Sequence, residues 1–318
     1  MNLPESIDPN YFDDVYRLDS SEWIFAVEEL CQEHKVPITA YSFFNAGSNL
    51  LAGVNDEVII KIFPPFHRHQ WVSEYKSLAF FHSKLPVSIP DLLAVGERDD
   101  QWTYVIISRL KGQTLDEHWS GFEFETKKKL MERIGAIMKS AHAITPDHTI
   151  SLEPDWKIFL HKQFQGCYTR HEKQGMPFWF LNQLEDYLNI HFHLIPSIFT
   201  PVLLTGEYTP FNFLVHYVNE EWNFSGMIDF GDAMIGFQEY DLLGPILFLA
   251  GGDGELIKAL IESYGYDYSR DYPALRHRLM VLALLHRYSN FNFQIKIDRW
   301  KTNVKNFKEM EDLVFPFV

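Results

Sequence analysis

The sequence is poor in cysteine, in long apolar runs and in positive charge, and each shortage excludes something. Only two cysteines occur among 318 residues. Cys31 and Cys167 stand far apart with no Cys-x-x-Cys spacing, so neither a disulfide framework nor a thiolate zinc site is encoded. Both fall within helical patterns and read as reduced core residues, which points to a cytoplasmic compartment. Apolar stretches such as residues 246–250 and 280–285 fall far short of the roughly 20 residues needed to cross a bilayer. The N-terminus carries Pro4, Glu5 and Asp8 where a signal peptide needs a basic start and an apolar run. A soluble protein with no membrane partner is therefore expected. Lys and Arg total 28 against 43 Asp and Glu, a net charge of −15. Without a basic stripe to release counterions from phosphates, no nucleic-acid partner is expected. The excess of acid favours a cationic partner instead. Tracts rich in Ser, Gly or Pro are lacking too, and no internal repeat appears, which excludes a disordered chain or a solenoid.

What the sequence does hold is apolar mass: 46% hydrophobic and 16% aromatic residues. A chain of 318 residues exceeds what one core usually organises, so two packed lobes are expected. A helical stripe of Trp23, Ala26, Val27, Leu30 and Cys31 comes first, within an N-terminal helical extension at 1–37. Residues 38–110 form the first lobe. They show β-rich runs at 38–44, 57–63, 92–96 and 102–108 and one helix near 68–84. From 111 to 318 the pattern is mainly helical, with helices at 124–143, 155–170 and 178–193 and again from Tyr240. Two short strands, 212–216 and 223–228, flank a polar turn at Asn219-Glu220-Glu221. The connector between lobes falls at 109–113. This describes an α+β fold with a small β-rich lobe and a larger helical one.

Two segments carry chemistry. In Thr205-Gly206-Glu207-Tyr208-Thr209-Pro210-Phe211-Asn212 an apolar strand runs into a Gly and Pro loop holding an acid, and an amide opens the next strand. Alone, this reads more readily as a solvated turn. Gly226-Met227-Ile228-Asp229-Phe230-Gly231-Asp232 places a carboxylate at the end of an apolar strand, a position that suits a hard cation beside phosphates. Asp-Phe-Gly is also the metal-holding signature of kinases. A hairpin between Asn212 and Asp229 would set amide and carboxylate side by side. Transfer of the ATP γ-phosphoryl group needs such parts: a carboxylate to orient the acceptor hydroxyl and oxygen ligands for Mg²⁺.

With these residues the chain resembles the aminoglycoside phosphotransferase and choline kinase superfamily over residues 43–252, nearest its hygromycin phosphotransferase-like branch. The resemblance implies a two-lobed protein-kinase-like fold, with a nucleotide-binding first lobe and a catalytic, substrate-binding second lobe. It implies ATP and Mg²⁺ as cofactors, Asn212 and Asp229 as metal ligands, and Glu207 at the place of the catalytic Asp. Asp241, within Glu239-Tyr240-Asp241-Leu242, matches a family acid of structural role. The family loop usually reads His-Gly-Asp; here Thr205 and Glu207 depart from it. The longer Glu adds about 1.5 Å of reach, which puts full turnover in doubt.

The first lobe supplies matching nucleotide groups. Lys61 alternates onto the apolar face of its strand and Glu74 lies on the apolar stripe of the following helix. Each alone reads as a snorkelling surface residue, whereas the pair resembles the kinase strand lysine and helix glutamate. Gly47 and Ser48 stand where a phosphate loop belongs, and Ile107 lies in a hinge at 106–109 along the adenine. The expected activity is phosphoryl transfer from ATP to the alcohol group of a small cationic acceptor, an aminoglycoside or amino alcohol. Three alternatives stay open. A pseudokinase would bind nucleotide or ligand only. A protein kinase lacks room between Asp229 and Asp241 for an activation segment. A metalloenzyme would use the pairs His67/His69 and His191/His193, which lack a third ligand at zinc spacing. Acid from Asp232, Glu239 or Asp253 would suit a cationic acceptor.

Overall fold

Asp8 caps the first helix, α1 (Pro9–Asp14), by accepting from the N–H groups of Asn10 and Tyr11, both at 3.0 Å. The stripe of Ala26, Val27, Leu30 and Cys31 is fully buried on α2 (Ile24–Glu33). The computed structural model describes residues 2–146, 150–206 and 208–318. The chain divides into two units. One comprises the residues up to Gly112 and, in addition, Ser225–Ala233; the other comprises Gln113–Phe224 and Met234–Val318. The division is therefore not a single cut in the sequence.

In the first unit β1 (Tyr41–Phe43), β2 (Leu50–Val54), β3 (Val58–Phe63), β4 (Leu92–Glu97) and β5 (Thr103–Ser108) form an antiparallel sheet in the order β1-β2-β3-β5-β4. Helix α3 (Arg68–Phe81) follows β3 in the chain. Alternation along the strands sorts side chains to two faces. Ile60, Ile62, Tyr104 and Ile106 join one cluster with Phe12, Trp23 and Leu30, so α1 and α2 pack on that face. Lys61, between Ile60 and Ile62, takes the other.

The strand β2 was not among the expected runs, which pass from 44 to 57. Its Gly53 pairs with Ser42 of β1, and a Cβ there would collide with Ser42 Oγ. Glycine weakens the local strand signal, yet β2 is paired on both sides and the ladder overrides that deficit. The run at 38–44 shortens to β1 because Asn55 Oδ1 accepts the amides of Thr39 at 2.7 Å and Ala40 at 3.0 Å. A side-chain acceptor there replaces a ladder partner.

The second unit is mainly helical, as expected. After β6 (Gln113–Thr114) come α4 (Leu115–Trp119), α5 (Phe124–His142), α6 (Trp156–Lys173) and α7 (Phe178–His191). Beyond them lie β7 (Val202–Leu204), β8 (Phe213–Val218), β9 (Glu221–Met227) and β10 (Met234–Gly236). Strands β7 and β10 pair antiparallel, and β6, β8 and β9 are neighbours in a three-stranded sheet. Asn219 and Glu220, at φ 53° and 62°, close the β8–β9 hairpin, with the left-handed backbone that a two-residue hairpin turn requires. Then follow α8 (Leu243–Pro245), a π-helical turn at Ile246–Ala250, α9 (Gly254–Tyr264), α10 (Tyr268–Leu285), α11 (Phe291–Gln294), α12 (Trp300–Asn303) and α13 (Phe307–Val314). No helix among the described residues is long and apolar enough to cross a membrane.

Helices α5 and α9 pack tightly because α5 carries Gly135 at the contact. A Cβ on Gly135 would stand 2.5 Å from the Leu260 carbonyl oxygen and 2.9 Å from the Tyr264 nitrogen, both backbone atoms that cannot rotate away. Gly135→Ala should therefore destabilise the protein by about 1–3 kcal/mol through overpacking, against the gain of about 1 kcal/mol that alanine brings to a helix. Urea unfolding measures this, and an alanine variant as stable as the parent would show that the two helices part without cost.

Candidate functional site

Strand β3 turns Lys61 away from the α2 face, and α3 meets it with Glu74. The Lys61 ammonium lies 3.2 Å from Glu74 Oε1 and donates to Asp229 Oδ1 at 2.9 Å. Glu74 is 0% exposed and Lys61 7%, so this ion pair is held out of water. The other oxygen of Glu74, Oε2, accepts the Phe230 amide at 2.7 Å. Ser73 Oγ donates to the Ala233 carbonyl at 3.0 Å, and the buried Phe230 ring faces Phe81 with centroids 6.0 Å apart. The Asp-Phe-Gly segment is thus pinned onto α3 and β3 within the first unit.

Asp229 has φ 66°, a left-handed backbone that few non-glycine residues adopt and that is held only where surroundings over-determine it. Its Oδ1 also accepts the Gly231 amide at 3.3 Å. The side chain keeps 39% exposure. One ammonium between two carboxylates leaves a net negative charge. Burial alone would lower the Lys61 ammonium, but Asp229 and Glu74 together hold it above its ordinary value. Burial raises Glu74 above the carboxylate range despite Lys61. Asp229 is pushed upward by burial, yet the Lys61 charge outweighs this and holds it below. An ionised Asp229 carboxylate is a hard oxygen donor of the kind Mg²⁺ takes.

Upstream, Gly47 adopts φ +89°, which only glycine accepts freely. Ser48 Oγ donates to Gln70 Oε1 at 3.3 Å, Asn49 Nδ2 donates to the same oxygen at 3.0 Å, and His67 Nδ1 lies 3.1 Å from Asn49 Oδ1. The β1–β2 loop is thereby tied to the start of α3. Ile107 is buried within β5, paired with Ile59 and Leu92. The first unit therefore brings together Lys61, Glu74 and Asp229. Gly47 and Ser48 sit in their loop, where Ser48 bonds Gln70.

In the second unit Asn212 is buried immediately before β8, with its backbone N–H donating to Thr209 O at 3.2 Å. Glu207 lies outside the described residues. The loop that precedes it is held by Asp241, whose Oδ1 accepts Gly206 N at 2.9 Å and whose Oδ2 accepts Thr205 N at 3.1 Å. Gly244 leaves room for the same loop: a Cβ there would stand 2.8 Å from Tyr208 O. His142 reaches Asp241 Oδ2 at 3.0 Å. It was not among the sequence candidates, although it falls four residues after Met138 on the apolar stripe of α5, where a polar residue is out of pattern.

Two of the acids offered for a cationic acceptor are engaged elsewhere. Glu239 is buried, accepts Arg278 at 2.6 and 2.8 Å and accepts the Tyr266 hydroxyl at 3.1 Å. Asp253 caps α9 through the amides of Glu255 at 2.9 Å and Leu256 at 3.2 Å. Of the histidine pairs, His191 bonds the Tyr187 carbonyl and His193 the Ile190 carbonyl. Among the described residues no group of three His, Cys, Asp or Glu side chains could hold a metal by itself.

A family model described as "Phosphotransferase enzyme family" matches residues 47–277. Among solved structures, aminoglycoside 2'-phosphotransferase-IIIa in its GDP complex is similar, with 17% identity and a TM-score of 0.64, covering 82% of this chain and 88% of that one. The streptomycin-ATP ternary complex of APH(2")-IIa matches at 18% identity and TM-score 0.57, covering 83% and 90%. Macrolide 2'-phosphotransferase MphH from Brachybacterium faecium, as apoenzyme, matches at 16% and 0.55, covering 81% and 90%. At these identities the likeness is one of fold, and the fold is that of the two-part, protein-kinase-like phosphotransferases.

The buried Lys61–Glu74 pair makes a direct prediction. Glu74→Leu should cost about 3–5 kcal/mol, because it strands the Lys61 charge and the Phe230 amide. Adding Lys61→Met should recover part of that loss. Urea unfolding of parent, single and double variants gives the comparison; a Glu74→Leu midpoint equal to the parent's would rule out a stabilising role for the pair.

Proposed function

This chain belongs to the phosphotransferase enzyme family, and from that premise we propose that it is a Mg-ATP-dependent small-molecule kinase, transferring the γ-phosphoryl group to a hydroxyl of a small cationic acceptor. The observation that carries the reading is the buried Lys61–Glu74 pair with Asp229 on the same ammonium. A buried lysine held by one carboxylate is oriented and kept charged, the state needed to meet the α and β phosphates. In the absence of nucleotide Asp229 shares that charge.

The roles follow residue by residue. Asp229 and Asn212 would be the metal ligands, both oxygen donors of the kind Mg²⁺ takes. When bound, the ion neutralises charge on the phosphates. Glu207 accepts the proton of the acceptor hydroxyl. The backbone amides of Gly47 and Ser48 cover the phosphates, and Ile107 with its neighbours lies along the base. An aminoglycoside or amino alcohol suits the acidic chain, which acts in the cytoplasm. The domain assignment follows: residues 38–110 bind nucleotide, and 111–318 supply the acceptor site and the base.

A second reading has its own support. Thr205 and Glu207 stand where the family usually has His and Asp, and a misplacement of about 1 Å can cost roughly 100-fold in rate. A chain so altered could bind nucleotide or ligand without turnover. Coupled ADP release over aminoglycosides, amino alcohols and sugars separates the two. Acceptor-dependent release is expected, abolished in Asp229→Ala and reduced by roughly 100-fold or more in Glu207→Gln. Full-rate turnover by Glu207→Gln would remove its role as base. A nucleotide-induced rise in melting temperature with no ADP release from any acceptor would favour the binding reading.

A further inference from the structure

Asp241 accepts hydrogen bonds from two successive backbone amides of the loop before residue 207. Its Oδ1 takes Gly206 N, and its Oδ2 takes both Thr205 N and His142 Nε2. A carboxylate oxygen accepts, so His142 Nε2 carries the hydrogen toward Asp241, and in the neutral ring Nδ1 is then the acceptor. Nδ1 lies 2.8 Å from the Tyr264 hydroxyl, which therefore donates to it. Burial pushes the Tyr264 phenol well up, so it stays protonated and available. A chain of hydrogen bonds thus runs from Tyr264 on α9 through His142 at the end of α5 to Asp241, and from there into two successive amides. The His142 and Asp241 side chains are 4% and 0% exposed, so water does not substitute for either.

The loop needs such an anchor. Gly206 has φ 75°, and glycine is the residue with the widest backbone freedom. Thr205 and Gly206 follow directly on the end of β7. The carboxylate accepts from both of their amides, one of them in a buried residue. A carboxylate free to rotate about its own axis could serve one amide and lose the other; a third donor on Oδ2 sets its plane.

We propose that His142 is a positioning residue for phosphoryl transfer: by orienting Asp241 it sets the backbone of Thr205 and Gly206, the two residues that lead into Glu207 in the chain. The inference rests on the kinase reading above. It makes His142 act on the rate of the chemical step rather than on nucleotide binding, because nothing in the Lys61–Glu74–Asp229 group depends on it.

The test compares His142→Phe with His142→Gln. Phenylalanine keeps the ring and removes both nitrogens, while the glutamine amide nitrogen can still donate to Asp241. For His142→Phe, kcat should fall roughly 10- to 100-fold, the range expected for a displaced catalytic group, with KM for ATP unchanged; His142→Gln should recover most of it. Hydrogen exchange of the same proteins should show faster exchange at Thr205 and Gly206 in His142→Phe, slowed again in His142→Gln, and no change across β3 or α3. Equal kcat in all three proteins, or a fall that glutamine does not mend and that comes with faster exchange throughout α5 and α9, overturns the proposal. Should the parent release no ADP with any acceptor, the kinase reading fails and catalytic positioning fails with it. The exchange measurement then still decides separately whether His142 anchors the loop.

Discussion

A positive charge buried on the inner side of a β-sheet is the constraint on which much of this structure depends. Taking an ammonium and a carboxylate out of water is expensive, and the pair persists only where geometry and further hydrogen bonds are good. Lys61 meets both conditions: two carboxylates within hydrogen-bonding or ion-pair reach, one of them fully buried. Removing the charge from β3 would leave Glu74 without its partner and Asp229 without the interaction that lowers its pKa. The register of β3 between β2 and β5 decides which face Lys61 occupies, since a slip of one residue would send it into the cluster with α2.

The second consequence concerns where the Asp-Phe-Gly segment belongs. By chain position it lies deep in the helical half, yet Glu74, Ser73, Phe81 and Lys61 all bind it, and Ser225–Ala233 counts with the sheet unit. Glu74 has two tasks: Oε1 for the ammonium and Oε2 for the Phe230 amide. The strained backbone of Asp229 is held by these contacts. The binding of a cation there would draw on order that already exists.

In the helical unit the acids are divided by task. Asp241 serves the loop backbone, Glu239 neutralises Arg278, and Asp253 caps a helix. An overall charge of −15 therefore says little about which acids meet a substrate, because buried carboxylates are recruited first by buried donors.

Local pattern alone was enough to find most elements. The stripe of α2, the strand at 202–204 and the hairpin turn at Asn219 and Glu220 were readable because helix and strand periods and turn chemistry are short-range properties. So was the pairing of a lysine and a glutamate, each a charge on an apolar face. Tertiary structure decided the rest. Strand β2 exists because two neighbours pair with it although Gly53 weakens its signal, and Glu239 is spent because Arg278, far along the chain, reaches it. His142 gained its place through contacts with α9 and with a loop far from it in sequence. Such partners are set by packing, which brings together residues distant in the chain, and no window of the sequence contains both ends of those contacts.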